Sequence, residues 1–151
     1  MTDADRAAAP GAPPAADATP NDLKLMALDE EDLAVLSAHA QDALVPVRDM
    51  RWMPRERRFA MVLSRFDWEG FARGRRERVI AGLHFDRVSR VASVGLDRDD
   101  PDVLLELLAI GFAPERAPGG SVILTFSGGA ALRLDVECLE AQMHDVGPRW
   151  V

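Results

Sequence analysis

Val122-Ile123-Leu124-Thr125-Phe126-Ser127-Gly128-Gly129-Ala130-Ala131-Leu132-Arg133-Leu134-Asp135-Val136-Glu137-Cys138 decides the fold. Two runs of alternating character flank a Gly-Gly pair, the composition of a tight hairpin turn with positive φ. Val122, Leu124 and Phe126 share one face of the first run, and Leu132, Leu134, Val136 and Cys138 share one face of the second. Thr125, Arg133, Asp135 and Glu137 point the other way, as expected of an antiparallel ribbon with one buried side. Leu139 to Val146 is read as continuing this ribbon, with Pro148 closing the fold.

Working back from the hairpin, the loop Pro114 to Gly120 precedes it, and before that comes the Leu-rich run Val103 to Phe112. This run suits either a helix or a buried strand; a strand is favoured for Leu107 to Phe112. Earlier still the period is two. Val47 to Met53 reads as a strand, Pro54 to Arg57 as a turn, and Arg58 to Trp68 as a strand with Phe59, Met61, Leu63 and Arg65 on one face. Arg78 to Phe85 is a further strand, and a spacing shift after Phe85 implies a bulge or bend before Val88, Val91 and Val94.

The best helix begins at Asp29. That residue is a good N-cap, Asp32 stands at N3, and the acidic first turn complements the helix dipole. Leu33, Leu36, Ala40 and Ala43 or Leu44 form its apolar stripe, and Pro46 marks its expected end. Leu23 to Leu28 is read as a short strand before it. Residues 1–21 carry almost no large apolar side chains and are read as a disordered tail.

Laid side by side, residues 47–96 and 104–147 follow one plan: strand, proline turn, strand, hairpin loop, long bent strand. This reads as a duplicated three-stranded unit. The expected fold is α+β and predominantly antiparallel β, with an N-terminal helix on two related units that form a sandwich or partly open barrel. Residues 22–151 form a single globular domain in this reading, long enough for one hydrophobic core.

The combination Leu107-Leu108-Ala109-Ile110-Gly111-Phe112, the hairpin from Ile123 to Ala141, and Asp145-Val146-Gly147 resembles a family of uncharacterised proteobacterial proteins, over about residues 22 to 150. The resemblance implies no assigned activity and supplies no catalytic residues.

Charge narrows the function classes. The chain carries −7 overall, yet residues 48–98 hold 13 Arg against 7 Asp or Glu, and the remainder holds 5 basic against 18 acidic residues. A basic middle between acidic ends suits an anionic partner or self-association. No apolar run approaches the roughly 20 residues that span a bilayer, and no secretory signal is evident, so no membrane role is expected. The single cysteine, Cys138, leaves no internal disulfide, and a cytoplasmic location is expected.

No motif for catalysis, cofactor or metal stands out. Gly70 to Gly74 lacks the lysine and the strand-to-helix context of a phosphate loop. His39, His84 and His144 are scattered, and one cysteine cannot complete a zinc set. His84 and Asp86, with Asp135 and Glu137 at equivalent places in the second unit, are acid–base candidates weighed against the solvated face of a sheet.

The basic loop is the leading functional candidate. Arg73, Arg75, Arg76 and Arg78 offer guanidinium groups for carboxylates or phosphates, and Phe71 offers a stacking or insertion group. The second unit has only Gly128-Gly129 at the corresponding point. The expected protein is therefore noncatalytic, a binding or adaptor protein using this loop on an acidic protein or phosphate-bearing ligand, with a protein partner or its own second copy. Nucleic-acid binding ranks second and a small-molecule enzyme third.

Overall fold

The computed structural model describes residues 22–97 and 99–150. The expected N-terminal tail lies outside these residues. The hairpin forms as read: β8 (Gly120–Phe126) pairs antiparallel with β9 (Ala131–Val136). Its buried side is the one expected, with Val122, Leu124, Phe126, Leu132, Leu134 and Val136 inside. The turn is wider than a two-residue loop. Ser127–Gly129 makes a 3-10 turn with Gly128 at φ 74° and Gly129 at φ 82°, and Phe126 N donates to Ala130 O at 2.9 Å. Both glycines are in the left-handed region that costs other residues most.

The other strands are β1 (Lys24–Ala27), β2 (Ala43–Pro46), β3 (Met50–Met53), β4 (Arg58–Phe66), β5 (Arg78–Phe85), β6 (Val88–Val94), β7 (Leu104–Pro114) and β10 (Ala141–Trp150). All ten belong to one antiparallel sheet in the order β1-β10-β5-β4-β2-β7-β8-β9-β6, with β3 also paired to β4. The end strands β1 and β6 do not pair with each other, so the sheet does not close. Inward residues of β4, β5, β8, β9 and β10 nevertheless meet in one core.

The last strands exchange places. β6 follows β5 in the chain but pairs with β9, and β10 follows β9 but pairs with β5. The bend expected after Phe85 is this departure, and Arg87 at φ 61° makes it. The two departing segments hold each other: Glu137 N donates to Arg87 O at 3.0 Å and Asp86 N to Glu140 O at 2.9 Å. Leu139 to Val146 therefore does not extend the hairpin. Nor does Pro148 end the fold, because it lies within β10, where the register shifts between Asp145 and Arg149.

Helix α1 (Glu30–Ala40) starts where expected, with Asp29 Oδ1 accepting from Asp32 N at 2.8 Å. It buries Leu33, Leu36 and Ala40 against β7, with β1 and β4 at its flanks. It stops at Ala40, not near Pro46. Asp42 turns the chain at φ 65°, and Ala43–Pro46 becomes β2. Ala43 continues the helical stripe at i+3 and is buried in either conformation, so periodicity alone could not separate the two. Val47–Asp49, expected as strand, is a 3-10 turn.

The Leu-rich run is strand throughout, from Leu104 to Pro114. β7 pairs with β2 through Leu104 to Leu107 and then with β8, with a register shift between Leu107 and Ala109. That bulge moves the buried phase from Leu105 and Leu107 to Ile110, which is why the run lacks a clean alternation. Ser37 Oγ on α1 accepts from Ile110 N at 2.9 Å and so satisfies a donor beside the bulge. Further along this pair, Gly120 has no room for a side chain: a Cβ would sit 2.5 Å from Ala113 O and 2.7 Å from Phe112 Cζ. Gly120→Ala is expected to cost about 1–3 kcal/mol, read as a lowered denaturation midpoint at unchanged slope.

Candidate functional site

The basic loop is an ordered corner. Between the last paired residues of β4 and β5, Phe66 and Arg78, the chain forms the short helix α2 (Trp68–Ala72). Asp67 caps it, accepting from Gly70 N at 3.0 Å, and Asp67 N donates to Glu77 O at 2.9 Å to close the corner. Arg73 N and Arg75 N both donate to Gly70 O, at 3.0 and 2.8 Å, and Gly74 takes φ 89°, a value suited to glycine.

This geometry sorts the candidate residues. Phe71, Arg76 and Arg78 line one cleft of about 330 Å³, together with Asp42, Phe66 and Trp68. Arg73 is exposed at the end of α2 and does not line the cleft. Arg75 turns inward. Its Nη2 is buried with no hydrogen-bond partner among the described residues, and a Cβ at Gly70 would lie 3.2 Å from it and 2.5 Å from Asp67 Oδ2.

Three aromatic rings build the cleft wall. Phe66 lies edge-on to Trp68 at 4.7 Å and tilted to Phe71 at 5.5 Å, and Trp68 meets Phe71 at 6.3 Å. Trp68 Nε1 donates to Gln41 O at 3.2 Å, so the α1–β2 turn fixes the indole. The Arg78 guanidinium lies 5.9 Å from the Phe66 ring centroid and donates through Nη1 to Ser64 O at 2.9 Å. Packing and hydrogen bonding thus hold a cation and an aromatic wall together, while Phe71 stays 47% exposed. Trp150 pairs in register with Arg78 and is 40% exposed.

Phe66, Trp68 and Asp42 escaped the sequence reading. The first two stand immediately before the loop, at the end of the run whose alternation predicts a strand to Trp68. Asp42 had no signal, because its place depends on where α1 ends.

Of the acid–base candidates, His84 and Asp86 come together, whereas Asp135 and Glu137 have other partners. Asp86 is engaged by Arg58 Nε at 2.7 Å and stands 3.6 Å from His84 Nε2. Burial, followed by the charge of Arg58, holds the His84 imidazole below its ordinary value. Asp135 instead accepts from Ser121 and Arg133, each at 2.9 Å, and the Arg133 hydrogen bond is the main cause that lowers its carboxyl. Glu137 pairs with Arg57. Cys138 is half-buried just beyond β9. Among the described residues no three His, Cys, Asp or Glu side chains form a group able to hold a metal ion, and no helix is long and apolar enough to cross a membrane.

A family model described as "Protein of unknown function (DUF2948)" matches residues 23–151. The chain belongs to that family. Its matched span takes in every element from β1 to β10 and with them the whole basic corner. No curated protein and no solved structure matches the chain.

Proposed function

We propose that this DUF2948 chain is a small cytoplasmic binding protein, noncatalytic, whose basic corner takes an acidic segment of a protein partner. The observation that carries this reading is the cleft in which Arg76 and Arg78 stand beside Phe66, Trp68 and Phe71. Guanidinium groups give charge-assisted hydrogen bonds to a carboxylate, and the rings accept an apolar or aromatic neighbour of that carboxylate. Arginine and tryptophan are also the residue types that dominate binding energy at interfaces. Asp42 in the same cleft works against a densely charged polyanion and suits a peptide, whose backbone N–H groups it can accept.

The duplication read from the sequence supports the same assignment. On this reading the meanders β3–β5 and β7–β9 are related units, and the second closes with a three-residue glycine turn where the first carries an aromatic and arginine-bearing helix. A second copy of the chain, with its acidic regions, is one partner of the right chemistry.

Nucleic-acid binding is the second reading, favoured only by the stacking surface of Trp68 and Phe71 beside exposed Arg73. An array of peptides pairing Asp or Glu with an aromatic residue, compared with single-stranded DNA, separates the two. Retention of such peptides, lost with Arg76→Glu and Arg78→Glu, is expected. Binding only to DNA, with affinity falling steeply as salt rises, would replace the proposal with its alternative.

A further inference from the structure

A second cleft, of about 300 Å³, opens on the outward face of β4 and β5, on side chains distinct from those of the corner. Its floor consists of the two smallest residues of that face, Ala60 and Gly82. In register, Gly82 lies between Val62 on β4 and His144 on β10, while His84 lies between Ala60 and Gln142. His84 and His144 are thus diagonal neighbours on adjacent strands, within reach of one bound group. The His144 ring leans over the glycine: a Cβ at Gly82 would lie 3.5 Å from Cε1 and 3.9 Å from Nε2. His144 Nδ1 is buried with no hydrogen-bond partner among the described residues.

The 3-10 turn and β3 supply the remaining wall, through Arg48, Asp49 and Arg51. Arg48 pairs with Asp102 at 3.2 Å, so the two arginines are matched in charge by Asp49 and Asp102. The surrounding charges also pair off. Arg58 holds Asp86 at 2.7 Å, and Arg87 lies 3.5 Å from Glu140. Lys24 on β1, opposite His144 in register, adds one positive charge. With the fixed charges this close to balance, the two imidazoles decide how strongly the cleft attracts an anion.

We infer that this cleft is a binding site for a single tetrahedral oxyanion, such as the phosphate of a small monoester, held by His84, His144 and Arg51 and strengthened by proton uptake. Gly82 gives the anion room against the sheet, and the guanidinium of Arg51 supplies a forked donor. A doubly charged anion offsets the burial that disfavours the His84 imidazolium, so binding and protonation reinforce each other. The site stands independently of the basic corner.

Sulfate is the suitable probe, because its charge is constant between about pH 5.5 and 8 and any pH dependence then reports the protein. The chain has three histidines, and His39 on α1 serves as an internal reference. Sulfate is titrated at constant ionic strength set with chloride, while the imidazole proton resonances are followed by NMR. The expected result is a saturable shift of His84 and His144, with His39 unmoved and affinity about tenfold tighter at the lower pH. Gly82→Val, which fills the cleft, and His144→Gln should each abolish saturation. Shifts that do not saturate, that move all three histidines alike, or that persist in both variants would overturn the assignment.

Discussion

Asp145→Ala is expected to destabilise the protein by about 3–5 kcal/mol, the cost of leaving a buried charge without its partner. Asp145 on β10 meets Arg65 on β4 through two parallel hydrogen bonds, Nε to Oδ1 and Nη2 to Oδ2, both at 2.8 Å. The side chains are 0% and 1% exposed. The carboxylate also accepts from Leu23 N at 2.8 Å, while Asp145 N donates to Leu23 O at 2.9 Å. One ion pair therefore fastens β4, β10 and the segment entering β1. Arg65→Met combined with Asp145→Leu should recover much of the loss, because apolar replacement of a whole buried pair is often close to neutral. Chemical denaturation of the wild-type chain, the single variant and the double variant measures both effects.

Phe126→Ala should cost a similar amount, about 3–5 kcal/mol, by removing a buried ring that the surroundings cannot refill. Phe126 is 1% exposed, ends β8 and pairs in register with Leu107 on β7, the strand that joins the two halves of the sheet. Its backbone N–H closes the glycine turn. Phe126→Leu keeps most of the volume and should lose far less, so the difference between the two variants reports packing and not the turn.

The sequence showed its strands where side chains alternate without interruption. Phe59, Met61, Leu63 and Arg65 are buried on β4 as their spacing required, and the guanidinium of Arg65 can sit there because Asp145 lies beside it. Asp145 is 80 residues away in the chain, so the pairing left no local trace. The end of α1 and the phase of β7 were ambiguous for a related reason. Ala43 fits a helix stripe and a strand face equally, and the bulge between Leu107 and Ala109 hides the period of two.

Strand exchange was beyond local reading. The bend after Phe85 was visible, but its destination depends on the contacts between Asp86–Arg87 and Glu137–Glu140, which form only in the folded chain. For the basic corner, composition pointed to Phe71, Arg76 and Arg78, which share one cleft. It could not separate these from Arg75, which folds inward beneath α2, or bring Asp42 and the Gln41 carbonyl to the aromatic wall.

The central claim is that Arg76, Arg78 and the aromatic wall bind an acidic partner, with the exposed Arg76 and Phe71 contributing little to holding the fold together. The most direct measurement titrates a peptide retained on the array into the wild-type chain, Arg76→Ala and Phe71→Ala, with each chain's denaturation midpoint recorded alongside. Hot-spot behaviour predicts losses of about 2 kcal/mol for each variant, close to thirtyfold in affinity, at nearly unchanged midpoints. Equal affinities for all three chains, or losses that follow the midpoints, would contradict it.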